Sequence, residues 1–245
     1  MPRFQNILYV TRGATDETDS LKQALSLARH SASELHAFIV APTLPKSLVE
    51  YEKGYEASLV DRVKESVEQA RASLALRPDE VPVTVDVECG DTPAVRIVRR
   101  VLRNDHDLLI KQAQPAERRM GFRALDMQLL RLCPCPVWLC RPISRSHNEM
   151  RVAVAVDPQS LEPSGHDLAL QLLRLARSLA DTCSGELDVV SCWDFEFEEA
   201  LRHSVWVKVP DASVDASLLE AEQSHRAALD ALIAESGISD RLRVH

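Results

Sequence analysis

Cys133 and Cys135, one proline apart, and Ser164-Gly165-His166 come nearest to a chemical signature in this 245-residue chain. A structural zinc site takes four thiolate or imidazole ligands, drawn from paired motifs with roughly two to four residues between partners. Cys133-Pro134-Cys135 is too tight for such a knuckle, and no second Cys or His pair follows it at ligand distance. The six cysteines (Cys89, Cys133, Cys135, Cys140, Cys183, Cys192) lie mostly in apolar, strand-like runs. There a thiol behaves as a small hydrophobe, so they are expected to be reduced and structural. A hydrolase nucleophile elbow needs G-x-S-x-G on a strand-to-helix turn. Ser164 instead precedes a helical pattern and reads as the N-cap of a helix over 167–180. None of the eight histidines pairs with a Cys or carboxylate at metal spacing. His36 and His245 fall in strand-like runs and His30 near a helix end. No catalytic or metal residue is expected, and the chain reads as a non-enzyme.

Arg96, Arg99, Arg100 and Arg103, with Arg118, Arg119 and Arg123, could form an anion or RNA patch. A run of this kind is more often the solvated face of a helix. A net charge of −8 with a pI near 5.5 argues against nucleic acid, because neutralising phosphates requires a basic surface. With 45 % apolar and 27 % charged residues, the composition is that of a globular protein. No run reaches the ~20 apolar residues of a membrane helix, so no membrane partner is expected. The start, MPRFQNILYV, lacks a signal-peptide core, which makes a cytoplasmic location the expectation.

The elements that would position these residues alternate. Asn6–Thr11, Leu35–Val40 and Val83–Cys89 read as strands. Helical spacing follows the first (Leu21, Ala24, Leu25, Leu27, Ala28) and fills Leu48–Leu76, ending before Pro78. After Gly90-Asp91, Thr92 reads as an N-cap and Pro93 suits the first helical position. The following helix is expected to bury Val95, Val98 and Leu102. Residues 107–140 then read as strand (Leu108–Ile110), polar loop, helix and strand (Val137–Cys140). This alternation implies a parallel sheet covered on both faces.

Past a turn-like segment, Pro142–Glu149, the pattern restarts. MRVAVAVD at 150–157 echoes NILYVTR, LALQLLRLA echoes LKQALSLA, and Ala216–Ala234 echoes the long second helix, at an offset of about 145 residues. Two copies of one α/β domain are expected, 1–142 and 150–245. The second lacks any counterpart of Gly90–Cys140. A half-sheet leaves unpaired edges, so the chain is expected either to belong to a longer protein or to be completed by another chain.

Gly90-Asp91-Thr92-Pro93-Ala94 opening the third helix, Asp107–Ile110 as fourth strand and Leu130-Arg131-Leu132-Cys133-Pro134-Cys135-Pro136-Val137 before the fifth resemble the universal stress protein family. The tandem arrangement is similar to its two-domain E-type members. The resemblance implies a doubly wound five-stranded parallel sheet of order 3-2-1-4-5, adenine nucleotide alpha hydrolase-like, with the second copy incomplete. It further implies a cytoplasmic stress-response protein acting by ligand or partner binding, and a dimer formed through the edge Val137 to Cys140. In nucleotide-binding members an Asp ending the first strand contacts adenine, and a G-x2-G-x9-G-[S/T] loop after the fourth strand holds ribose and phosphates. Glycines let backbone N–H groups approach phosphate there, beside a helix N-terminus. Here Arg12 stands at the Asp position. The loop glycines fall on Gln112, Pro115 and Leu125 with Asp126 at the Ser/Thr place, or on Arg123-Ala124 when the last pair is counted back from Pro134. Gly121 is the stretch's one glycine. No cofactor is therefore expected in the first domain, where Asp126 would repel a triphosphate. In the second, Asp157 matches the adenine-contacting Asp, or is a turn residue before Pro158. It leaves open an alternative, an ATP-binding switch with weak ATPase activity.

Overall fold

The computed structural model describes residues 4–13, 17–114, 124–142, 151–160, 162–182, 185–203 and 208–245. The chain divides into two compact units, one within residues 2–143 and one within 144–245.

The first unit runs β1 (Asn6–Thr11), α1 (Thr18–Ser31), β2 (Glu34–Ala41), a 3-10 turn (Lys46–Tyr51), α2 (Glu52–Ser73), β3 (Val83–Cys89), α3 (Pro93–Asn104), β4 (Leu108–Gln112), α4 (Ala124–Leu132) and β5 (Val137–Cys140). All pairings are parallel and the strand order is β3-β2-β1-β4-β5, as expected. The strands alternate between two cores, as a two-residue side-chain period requires of a sheet covered on both faces. Ile7, Tyr9, Leu35, Ala37, Ile39, Leu108 and Ile110 pack with α1 and α2. Leu8, Val10, Phe38, Val40 and Leu109 pack with Ala94, Ile97 and Val101 of α3 and Leu125 and Leu129 of α4.

The buried face of α3 therefore differs from the expectation. Val95 and Leu102 are 42 % and 60 % exposed, and the stripe that meets the sheet is Ala94–Ile97–Val101. Both stripes satisfy helical spacing; the arginines decide between them. Arg96 pairs with Glu88 and Arg100 with Asp86, both carboxylates on β3. Arg100 also lies 5.0 Å from the ring centroid of Phe38. These reaches are available only when α3 turns Ile97 and Val101 inward. The Arg96 guanidinium also lies over Gly90, in the space a Cβ there would share with it.

Thr92 is not a side-chain cap. It adopts φ 58° and makes no capping hydrogen bond through its hydroxyl, while its carbonyl accepts Val95 N at 3.1 Å; Pro93 does open the helix. The long second helix begins at Glu52, after the 3-10 turn, rather than at Leu48.

The second unit contains β6 (Arg151–Ala155), α5 (Pro163–Thr182), β7 (Glu186–Val190), α6 (Glu198–His203), α7 (Asp211–Ser236) and β8 (Leu242–Val244), with a parallel three-stranded sheet of order β6-β7-β8. Its core joins Val154, Leu173, Leu187, Val189, Leu229 and Leu232. Helix α5 starts at Pro163, so Ser164 lies inside its first turn and not before it. The Glu162 carbonyl begins the helix, accepting Gly165 N at 2.9 Å. Residues 143–149 of the expected linker, with Cys183 and Trp206, lie outside the described residues. No described helix is long and apolar enough to cross a membrane.

Candidate functional site

In open parallel α/β sheets, ligands bind beyond the carboxyl ends of the strands. At the end of β4, Lys111 points to the face covered by α3 and α4, into an interior where a lone ammonium would be costly. Its Nζ lies 2.9 Å from Asp126 Oδ1 and donates to the Gln112 carbonyl at 2.8 Å. The side chains of Lys111 and Asp126 are 5 % and 0 % exposed. Asp126 Oδ2 accepts Gln114 N at 3.0 Å. Asp126 sits in the first turn of α4, where the helix dipole also favours an anion. Asp126, expected to act as a repulsive charge, is thus neutralised by Lys111.

Of the other positions aligned with the phosphate loop, Gln112 is half-buried and takes a hydrogen bond from Ser20 Oγ at 3.3 Å. Leu125 belongs to the α3–α4 core and Ala124 opens α4. Pro115, Gly121, Arg118, Arg119 and Arg123 lie outside the described residues.

At the end of β1, Arg12 is exposed. Gly13 takes φ 66°, donates its N–H to Thr11 Oγ1 at 2.9 Å and accepts Arg62 Nη1 at 3.1 Å. Tyr9 OH meets Ser20 Oγ at 2.7 Å and Glu17 Oε2 at 2.9 Å. Burial, then the Glu17 carboxylate, push the phenol well above its ordinary pKa. The cavity between these groups, lined by Tyr9, Gly13, Glu17 and Arg62 among others, holds ≈ 10 Å³, roughly the space of a single water.

In the second unit, the exposed Asp157 follows β6 and its Oδ1 accepts Gln159 N at 2.9 Å, an Asx turn. Sequence reading missed what lies beside it. Ser191, after β7, has its hydroxyl 3.0 Å from the Val156 carbonyl and 2.9 Å from His225 Nε2 on α7; His225 Nδ1 is 3.1 Å from Gln159 Oε1. This has the connectivity of nucleophile, base and orienting group. The orienting group is a neutral amide, however, which brings no charge to support an imidazolium, and His225 is buried. The cluster ties α7 to the carboxyl ends of β6 and β7. His166 makes an ordinary surface contact with Glu235 at 3.1 Å. Among the described residues no group of three or more His, Cys, Asp or Glu could hold a metal ion. Cys133 and Cys135 are both half-buried, with sulfurs 3.5 Å apart.

The parallel sheet of order β3-β2-β1-β4-β5 is that of the nucleotide alpha hydrolase-like class of α/β proteins. Within that class the sequence pattern of the Universal stress protein family matches residues 3–141, and the chain belongs to that family. Universal stress protein E of Photorhabdus laumondii is 26 % identical over 200 residues, covering 79 % of this chain and 63 % of its own length. The Escherichia coli K12 protein of the same name is 25 % identical over 195 residues, covering 74 % and 58 %. The chain thus spans roughly three fifths of these relatives. Two crystal structures from Pseudomonas aeruginosa share the fold, a functionally unknown protein from strain PAO1 and a candidate universal stress protein from UCBPP-PA14. Both have TM-score 0.65, at 22 % and 20 % identity, covering 98 % of this chain and 73 % of theirs.

Proposed function

We propose that this chain is a non-enzymatic, cytoplasmic stress-response protein whose first unit binds partners and not ATP. The observation that carries the reading is the buried Lys111–Asp126 pair. At the place the family resemblance assigns to a bound phosphate, the protein supplies its own anion, and that anion takes both the Lys111 ammonium and the Gln114 N–H. A phosphate would have to displace a carboxylate that is already desolvated and paired. The partner surface on this reading is the edge of the first sheet. Among the described residues strand β5 pairs on one side only, with β4, and Val137, Trp138 and Leu139 are half-exposed. A second copy pairing along that edge gives a homodimer.

A ligand at ~100 times its Kd adds ~2.7 kcal/mol to stability, so a thermal shift with Mg²⁺ and ATP reads the nucleotide question directly. No upward shift is expected for the native chain, whereas Asp126→Ser should bring a shift with inorganic phosphate that the native chain lacks. A saturable ATP shift of several degrees that Asp157→Ala leaves unchanged would overturn the reading of the first unit. The same shift abolished by Asp157→Ala would favour a second reading, a nucleotide-binding switch with weak ATPase activity. That reading draws on Asp157, exposed at the carboxyl end of β6. For the edge, light scattering should give a dimer that Leu139→Lys converts to monomer; a native monomer would remove it.

A further inference from the structure

We propose that Cys133 and Cys135 form a redox-active dithiol, in which Cys133 reacts with hydroperoxides and Cys135 resolves the product into a disulfide across Pro134. The geometry is local and built. Cys133 closes α4, its N–H bonded to the Leu129 carbonyl at 2.9 Å, and Cys135 precedes β5. Pro134 and Pro136 restrict the backbone on either side of Cys135. Both side chains pack against the α3–α4 core, yet both stay half-buried rather than sealed. Their sulfurs are in contact at 3.5 Å.

The two thiols are differentiated by their own contact. The contact between the sulfurs, in which either S–H can donate, holds the Cys133 thiol down to about 7, against the opposing effect of burial. Cys135 is pushed far up in return, first by that contact, then by burial and the Cys133 charge. A thiol poised near neutrality is the nucleophile of choice, because thiolate fraction and intrinsic reactivity are then balanced. Elsewhere in this unit, Cys140 is raised to about 12 by burial, and Cys89 to about 11 by burial and then Glu56.

In the first step the Cys133 thiolate attacks a peroxide oxygen. The S–O bond forms, the O–O bond breaks, and hydrogen peroxide leaves water after protonation, with Cys133 as sulfenic acid. In the second step the Cys135 thiol gives up its proton and attacks the sulfenic sulfur. The S–S bond forms and hydroxide departs as a second water. The dithiol loses two electrons and two protons, and one peroxide becomes two waters. A small-molecule dithiol reverses the change.

The test treats the reduced, native chain with stoichiometric hydrogen peroxide, alkylates the remaining thiols after denaturation, and reads the tryptic peptide Leu132–Arg145, in which the Arg141–Pro142 bond stays uncut, by mass spectrometry. The expected product has lost two hydrogens between Cys133 and Cys135, carries alkylated Cys140, and is restored by dithiothreitol. Cys133→Ser should abolish it. Cys135→Ser should leave a sulfenic acid at Cys133 that dimedone traps, forming about tenfold more slowly near neutral pH because the thiolate fraction falls. Cys140→Ser should change nothing. A disulfide involving Cys140, oxidation at equal rate in the urea-unfolded chain, or a peptide that stays fully alkylated would each overturn the proposal.

Discussion

Asp126→Ala asks whether the ion pair at the end of β4 is held as tightly as its burial implies. The substitution strands the Lys111 ammonium, 5 % exposed, with one remaining acceptor, the Gln112 carbonyl, and leaves Gln114 N without its carboxylate. Removing one member of a buried pair typically costs ~3–5 kcal/mol, a large share of the ~5–15 kcal/mol that holds a domain together. Replacing both members with apolar groups of similar size is a different perturbation, because no charge is left behind. Lys111→Met with Asp126→Leu is expected to fall within ~1.5 kcal/mol of the native chain or to exceed it in stability. The assay is urea unfolding of the native chain, Lys111→Met, Asp126→Leu and the double change, with Asp126→Ala alongside and hydrogen exchange at Leu109 as reporter. Its N–H bonds to the Pro136 carbonyl at 3.0 Å and so reads the first unit alone. If Asp126→Ala costs less than ~1 kcal/mol, or if the single changes add up to the double one, the pair is not the internal anion site described above.

Further expectations follow from individual residues. In the native chain the rate of Cys133 alkylation by iodoacetamide should rise with pH through about 7 and then level, while Cys140, at about 12, stays unmodified; equal labelling of the two at neutral pH would contradict this. His106 is 4 % exposed, and burial, then the neighbouring His36, hold its imidazole below the ordinary 6.5. The unfolded chain therefore binds a proton that the folded chain refuses, so this stability is present above 6.5 and lost as pH falls below it. His106→Phe should shrink the difference in Tm between pH ~7.5 and ~5.5, and an unchanged difference would refute the assignment. Arg71, 8 % exposed, donates to the Val81 carbonyl at 2.7 Å and to Glu68 at 2.6 Å. Arg71→Ala leaves that carbonyl buried and unpaired, at ~1–3 kcal/mol in chemical denaturation.

The alternation of strands and helices in the first unit was legible from its periodicity, which implies a parallel sheet covered on both faces; the strand order came from the resemblance to the universal stress protein family. The face of α3 was not legible, since Val95–Val98–Leu102 and Ala94–Ile97–Val101 are equally good stripes one residue apart. Only the tertiary reach of Arg96 and Arg100 to β3 separates them. Lys111 carried a usable signal that was passed over: a lysine inside LLIKQ, a strand covered on both faces, must have a buried partner. The loss of glycines after β4 was visible at once, but not that Asp126 pairs with the Lys111 ammonium. That depends on which turn of α4 meets the end of β4. The Ser191–His225–Gln159 cluster joins residues up to 66 positions apart, with no local pattern to mark it.

The central position of β1 also has a consequence in time. Its pairing with β2 is nearly local, Ile7 with Leu35, but its other edge waits for Leu108, about 100 residues further along. At a synthesis rate of ~5–20 residues per second, the backbone of Ile7–Val10 stands half-paired on the ribosome for roughly 5–20 s. The nascent chain thus carries an apolar edge long enough to meet other chains before β4 emerges. Chaperone occupancy of ribosome-bound chains is expected to peak before β4 leaves the exit tunnel and to fall once it pairs.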